Sequence, residues 1–274
     1  MRTLYKRRLL SSTILVVILL VVFLVSSQLR NALIEPAYFT GWLMFVIMLM
    51  LLLFNLRKKI SFLPLGSAYM WAQLHIYGGV LMLVISLMHI DYSFPNGALE
   101  SGLSVIFFLV TFSGIYGIYI SRKLPVKMAQ QTDCVIFERI PGIRERIREE
   151  VELRVNDAVG DVKSVAIADF YSQHLYNYLS QPADFWLHLV NTEHVYSKWK
   201  NRFKALRLYL NDAELTLLTE IEELTKRKID LDSQYACRSL LKYWLFFHIP
   251  LSYILFITVI FHLFLVRSFS WSGA

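Results

Sequence analysis

Residues 75–89 read HIYGGVLMLVISLMH and residues 248–262 read HIPLSYILFITVIFH, and these two stretches decide the fold. Each is free of charge and carries a histidine at both ends. Each lies inside a longer apolar segment, and about 20 apolar residues are what a helix needs to cross a bilayer. The histidines are 14 residues apart in both stretches. In an α-helix that spacing is about 21 Å of rise and just under four turns, so the imidazoles of one helix share a face within about 40°. Two such helices side by side offer two facing pairs of imidazoles at two membrane depths.

Working outward, the chain has 274 residues, 56% of them hydrophobic, with a mean hydropathy of +0.47. That composition belongs to multi-pass membrane proteins. Residues 9–27 (LLSSTILVVILLVVFLVSS) follow the basic MRTLYKRR. They are too long for the apolar core of a secretory signal and lack an A-x-A-like cleavage site, so a retained helix is expected. Further spans are expected over about 38–56, 69–90, 101–120 and 243–266. The chain then divides into an N-terminal transmembrane helix with its outer loop (1–37), transmembrane helices two to four (38–121), a polar insert (122–242), and a fifth transmembrane helix with a short tail (243–274).

Charge sets the expected orientation. The net charge is +7, but residues 122–242 hold 19 Lys/Arg against 18 Asp/Glu, so the excess lies beside the apolar segments. That distribution reads as topology and not as affinity for nucleic acid. Arg2, Lys6, Arg7, Arg8, Arg57, Lys58 and Lys59 fall in the N-terminal tail and the second-to-third connection, with no acid among them. The positive-inside rule therefore puts the N-terminus and the insert in the cytoplasm and the C-terminal tail outside. The third and fifth spans then run in the same direction. His75 is expected level with His248 on the cytoplasmic side, and His89 level with His262 on the outer side.

The insert is expected to be mostly helical. A helix is read over IRERIREEVELRV, and Leu208, Leu215, Leu218, Ile221, Leu224 and Leu231 recur at helical spacing. With no glycine or proline between 204 and 249, the second helix is expected to run into the fifth span. Gly142 and Gly160 are the only glycines of the insert, which leaves no Gly-rich dinucleotide or phosphate loop.

A histidine in a bilayer core is costly, so it marks a functional site by default. Here four of seven histidines sit in two spans at one repeated spacing. Neutral imidazoles are good axial ligands for haem iron, and two per iron leave no open position for oxygen. His75, His89, His248 and His262 are therefore read as the axial ligands of two haem b groups that carry electrons. The fold class is an all-α membrane protein: five transmembrane helices, with a four-helix haem-binding bundle and a helical cytoplasmic insert. Gly78 and Gly79, and Gly114 with Gly117, are candidates for admitting a flat macrocycle, although small residues also serve close helix packing. Arg57, Lys58, Lys59, Arg122, Lys123 and Lys242, with Arg30 or Arg267 outside, read chiefly as topology charges. His174, His188 and His194 show no metal-ligand spacing. Cys134 and Cys237 are too few for a disulfide scaffold and read as free thiols.

The paired His-x13-His pattern resembles the membrane module of di-haem b-type cytochromes. That group includes the ferric-reductase/NADPH-oxidase transmembrane domain and the quinol-oxidising cytochrome b proteins. The likeness rests on WAQLHIYGGVLMLVISLMH, SGIYGIYISRKLP and LLKYWLFFHIPLSYILFITVIFH, over roughly residues 68–125 and 225–267. It implies that the four histidines hold haem. Unlike the reductases, this sequence shows no flavin or nicotinamide module after the fifth span. The expectation is therefore a subunit of a larger oxidoreductase in a bacterial inner membrane, linking a quinol or cytoplasmic donor to a redox partner on the other side. Its expected partners are membrane lipid, redox proteins at one or both faces and a quinone. Two alternatives stand beside it: a histidine-lined ion or proton transporter, and a haem-free membrane adaptor acting through the insert. The transporter would call for acidic residues within the spans, and none of the five contains Asp or Glu.

Overall fold

A computed structural model describes residues 2–59, 67–129, 135–160 and 162–271, and it describes side chains outside 1–8, 55–66, 129–134, 161 and 269–274. Cys134 lies outside the described residues. The side chains of Arg2, Lys6, Arg7, Arg8, Arg57, Lys58 and Lys59, on which the orientation argument leans, lie outside them too. Among the described residues every regular element is helical.

Four long helices come first: α1 (Arg2–Asn31), α2 (Pro36–Lys59), α3 (Ala68–His89) and α4 (Ala98–Ala129). The shorter α5 (Ile140–Gly160), α6 (Val165–Phe170), α7 (Tyr176–Ser180), α8 (Phe185–Val190) and α9 (Thr192–Leu206) follow, and α10 (Asp212–Trp271) closes the chain with 60 residues. Among the described residues five helices are long and apolar enough to cross a membrane, which makes this an all-α, multi-pass membrane protein. The chain divides into two compact units, residues 1–118 with 245–274, and residues 119–244.

In the first unit, α1, α2 and α3 pack on one another. Val22, Ile47, Met48, Met82, Ile85, Phe107 and Leu255 form the buried core. Most other apolar side chains face outward, Leu20, Val46, Phe112, Ile257 and Phe264 among them. In water such a surface would drive aggregation; against lipid it costs nothing. Ser67 caps α3 by accepting from the Met70 N–H at 3.3 Å. Beyond the last turn of α3, Asp91 on one connection meets Arg30 of α1 at 2.9 Å, both exposed.

The second unit has a core of its own, in which α5 contributes Ile147, Val151 and Val155 at four-residue steps. Trp199 and Phe203 of α9 and Leu218 and Ile221 of α10 complete it. Two boundaries differ from the sequence reading. Helix α4 was expected to end near 120 but continues past Pro125 to Ala129, because Ile120 and Leu124 bury against Cys237, Leu240 and Leu241. The final helix starts at Asp212, and 204–206 belong to α9. The break is chemical: Asn211 Oδ1 accepts from the Glu214 N–H at 3.0 Å while Glu214 accepts from the Asn211 N–H at 2.8 Å. This reciprocal capping box starts a helix. From there α10 does run unbroken into the fifth span, as the sequence suggested.

Candidate functional site

The first unit brings the four span histidines together in two pairs. His248 of α10 feels the field of His75 of α3, and His89 of α3 feels that of His262 of α10. This is the uncrossed pairing expected for helices running in the same direction. All four imidazoles are half-buried. Along each helix the midpoint is apolar: Met82 lies seven residues from His75 and from His89, and Leu255 seven from His248 and from His262. Seven residues make just under two turns, so these side chains share the histidine face. Both are 5% exposed, and Ile85 beside them is fully buried, so a dry layer separates the two imidazole levels.

Neighbouring helices hold the rings. Nδ1 of His89 stands 3.0 Å from Thr40 Oγ1 of α2. Nδ1 of His248 stands 3.2 Å from Ser113 Oγ of α4. His75 lies against the Phe54 ring of α2, with centroids 5.2 Å apart. Its buried Nδ1 meets no hydrogen-bond geometry, although the Leu51 backbone acts on it electrostatically. None of Thr40, Ser113 and Phe54 was singled out from the sequence, since a hydroxyl in a span is ordinary until its neighbour is known.

The expected glycines separate by environment. At Gly114 a Cβ would lie 3.7 Å from His248 Cε1, so this residue does sit at an imidazole. At Gly78 a Cβ would meet Leu51 Cδ2 at 2.9 Å and Met50 Cε at 3.3 Å, so its smallness serves α2–α3 packing. Gly79 faces open space, and Gly117 is buried. Gly41, absent from the sequence reading, leaves only 3.1 Å between a notional Cβ and His89 Cε1.

Of the basic residues read as topology charges, four have contacts of their own: Arg30 pairs with Asp91, Arg267 acts on Tyr38, and Lys123 donates to Tyr119 Oη at 2.7 Å. Lys242 lies 3.9 Å from Glu138 and 4.0 Å from the Phe137 ring centroid.

The residues present suit a planar iron macrocycle. Their donors are paired imidazoles whose second nitrogens are backed by hydroxyls in two of four cases, as metal-bound histidines require. The backbones of α3 and α10 are not among the close-packed helix pairs. A cleft of about 60 Å³ beside His89 is walled by Met44, Met82, Ser86, Leu103, Phe107 and Leu255. The cleft is smaller than a macrocycle, and the two flexible methionines are its adjustable walls. Among the described residues no group of three or more His, Cys, Asp or Glu could hold a bare metal ion.

The second unit carries buried polar chemistry that the sequence reading missed. Asp232, 2% exposed, receives Lys228 one turn before it, Arg144 at 3.3 Å and the Ala183 N–H at 3.1 Å. Lys228 also donates to the Gln181 carbonyl at 3.0 Å and sits 3.6 Å from the Tyr178 ring centroid. His188 is fully buried and neither ring nitrogen has a hydrogen-bond partner. Burial pushes its imidazole down to about 4, against the opposing pull of Asp232 and Asp184. It stays neutral and structural, in keeping with an ordinary role. A cavity of about 880 Å³ between α9 and α10 is floored by Trp199 and Phe203. Lys127, Lys200 and Lys226 face Glu193, Glu222 and Asp230 around it, a balance that selects no charge class of ligand. Compared with family models, curated proteins and solved structures, the chain shows no match.

Proposed function

We propose that this protein carries electrons across a membrane through two b-type haems, each held by two histidines. His75 with His248 would hold one and His89 with His262 the other. The pairing of the imidazoles supports this reading: two helices with the same 14-residue interval bring His75 within electrostatic range of His248 and His89 within that of His262. Haem, when bound, supplies one-electron exchange at iron without an open coordination position. The chain's residues do the rest. The imidazoles set two stations about 21 Å apart along the helices. Met82, Leu255 and Ile85 keep the layer between them free of water. Charge can then pass by tunnelling while hydrated ions are excluded. No carboxylate lies in residues 41–53, 76–88, 104–112 or 249–261, which argues against a proton relay between the levels.

On this reading the chain resembles the di-haem cytochrome b and ferric-reductase groups in its ligand pattern alone. The N-terminus and residues 122–242 lie in the cytoplasm of a bacterial inner-membrane protein, by the positive-inside rule. Electrons arrive from a quinol or a cytoplasmic donor docked on the insert and leave to a redox partner at the other face. The test is the reduced-minus-oxidised spectrum of the purified protein with haem quantified per chain. Two low-spin b haems support the reading, and a haem-free protein overturns it.

A further inference from the structure

The two hydrogen-bonded imidazoles are held by the same local device. Thr40-Gly41 of α2 faces His89, and Ser113-Gly114 of α4 faces His248. In both cases the hydroxyl lies at Nδ1, at 3.0 and 3.2 Å, and the glycine that follows it lies at Cε1, where a Cβ would come within 3.1 and 3.7 Å. The two dipeptides sit on different helices and serve histidines at different levels. Each histidine pair has one ring held in this way. His75 has Phe54 at its ring instead.

The hydrogen bonding at Thr40 has a direction. Its hydroxyl has acceptors on its own helix, the Pro36 carbonyl at 3.0 Å and the Ala37 carbonyl at 3.1 Å, which take its single proton. Oγ1 is therefore left as the acceptor from His89, and the imidazole proton must sit on Nδ1. Nε2 then presents a lone pair. A side chain two atoms long can reach Nδ1 only if the ring lies flat against the helix, and the glycine provides the room.

We infer that Thr40-Gly41 and Ser113-Gly114 are positioning cradles, one per haem, that fix the ring orientation of His89 and His248 and, at His89, the Nδ1–H tautomer. This rests on the haem reading above. An N–H donated to an oxygen makes the far nitrogen a more basic ligand and stabilises ferric iron. Removing the acceptor should raise the midpoint potential of that haem alone.

The experiment is a redox titration of the full-length, haem-loaded protein, with haem counted per chain. Thr40→Val is expected to raise one midpoint and leave the other in place, and Thr40→Ser to restore it. Ser113→Ala is expected to raise the other midpoint, with Ser113→Thr close to the parent. Gly41→Ala should alter the low-spin signal of the same haem as Thr40→Val. Loss of one haem in Thr40→Val that serine restores supports the cradle equally. The inference is overturned if both midpoints stay put at full haem content, if Thr40→Val and Ser113→Ala move the same haem, or if serine fails to restore what valine changes. A parent protein with two haems and immovable potentials overturns the cradles only. A parent without haem overturns the reading beneath them as well.

Discussion

On the proposed reading, replacing His89 by alanine removes one of four axial ligands, and the pairing of the imidazoles says what should follow. His89 lies within electrostatic range of His262, and His248 within that of His75. The partner pair is displaced by about 21 Å along the helices, and effects of substitutions more than about 10 Å apart are usually independent. Haem content should therefore fall from two per chain to one, with the midpoint potential of the survivor unchanged. His262→Ala should remove the same haem. The double variant His89→Ala/His262→Ala should be no worse than either single one, because both act on one site. His89→Ala/His75→Ala should lose both haems. The assay is pyridine haemochrome quantification beside a redox titration of each purified variant. If His89→Ala and His248→Ala removed the same haem, the pairing would be crossed. If His89→Ala kept two haems, these histidines would not be ligands.

The second unit offers independent tests. Asp232→Asn leaves Lys228 and Arg144 buried without their counter-charge, and losing one partner of a buried pair costs about 3–5 kcal/mol. Urea unfolding followed by tryptophan fluorescence should show this; a change below about 1 kcal/mol would mean the cations find another partner. His188 is held neutral at about 4 in the fold, whereas the unfolded chain binds a proton below about 6.5. The contribution is present above that value and is lost as pH falls toward 4, by at most about 3 kcal/mol. His188→Leu should flatten the stability profile between these limits, and an unchanged profile would assign the slope to other groups. Asn211→Ala removes the capping box of α10 and should cost about 1 kcal/mol, read as faster hydrogen exchange confined to residues 212–216. Exchange unchanged there would show that packing alone holds the helix start.

Membrane class, helix count and the histidine pattern were legible in the residue order, because each depends on local runs or on a fixed helical period. A charge-free run of about 20 residues can satisfy its backbone in lipid only as a helix. A 14-residue interval puts two side chains on one face whatever surrounds them. The helix that enters the fifth span was legible for the same reason, though its start was not. The Asn211–Glu214 box is equally local, but the leucine repeat runs across it from Leu208 and masks the break.

The rest was decided by contacts between residues far apart in the chain. Which histidine meets which depends on the direction and register of α3 and α10, and no single segment contains that information. Thr40 meets His89 across 49 residues and Ser113 meets His248 across 135, so nothing local marks either hydroxyl as more than a polar residue in a span. Gly78, Gly79 and Gly114 look alike in sequence and face Leu51, open space and His248 respectively. Asp232 and Lys228 read as an ordinary charged face of a helix until α5 and the 181–183 turn enclose them. Periodicity belongs to one helix and can be read there. Enclosure belongs to several helices at once, and it decides which polar groups meet one another and which are buried ions.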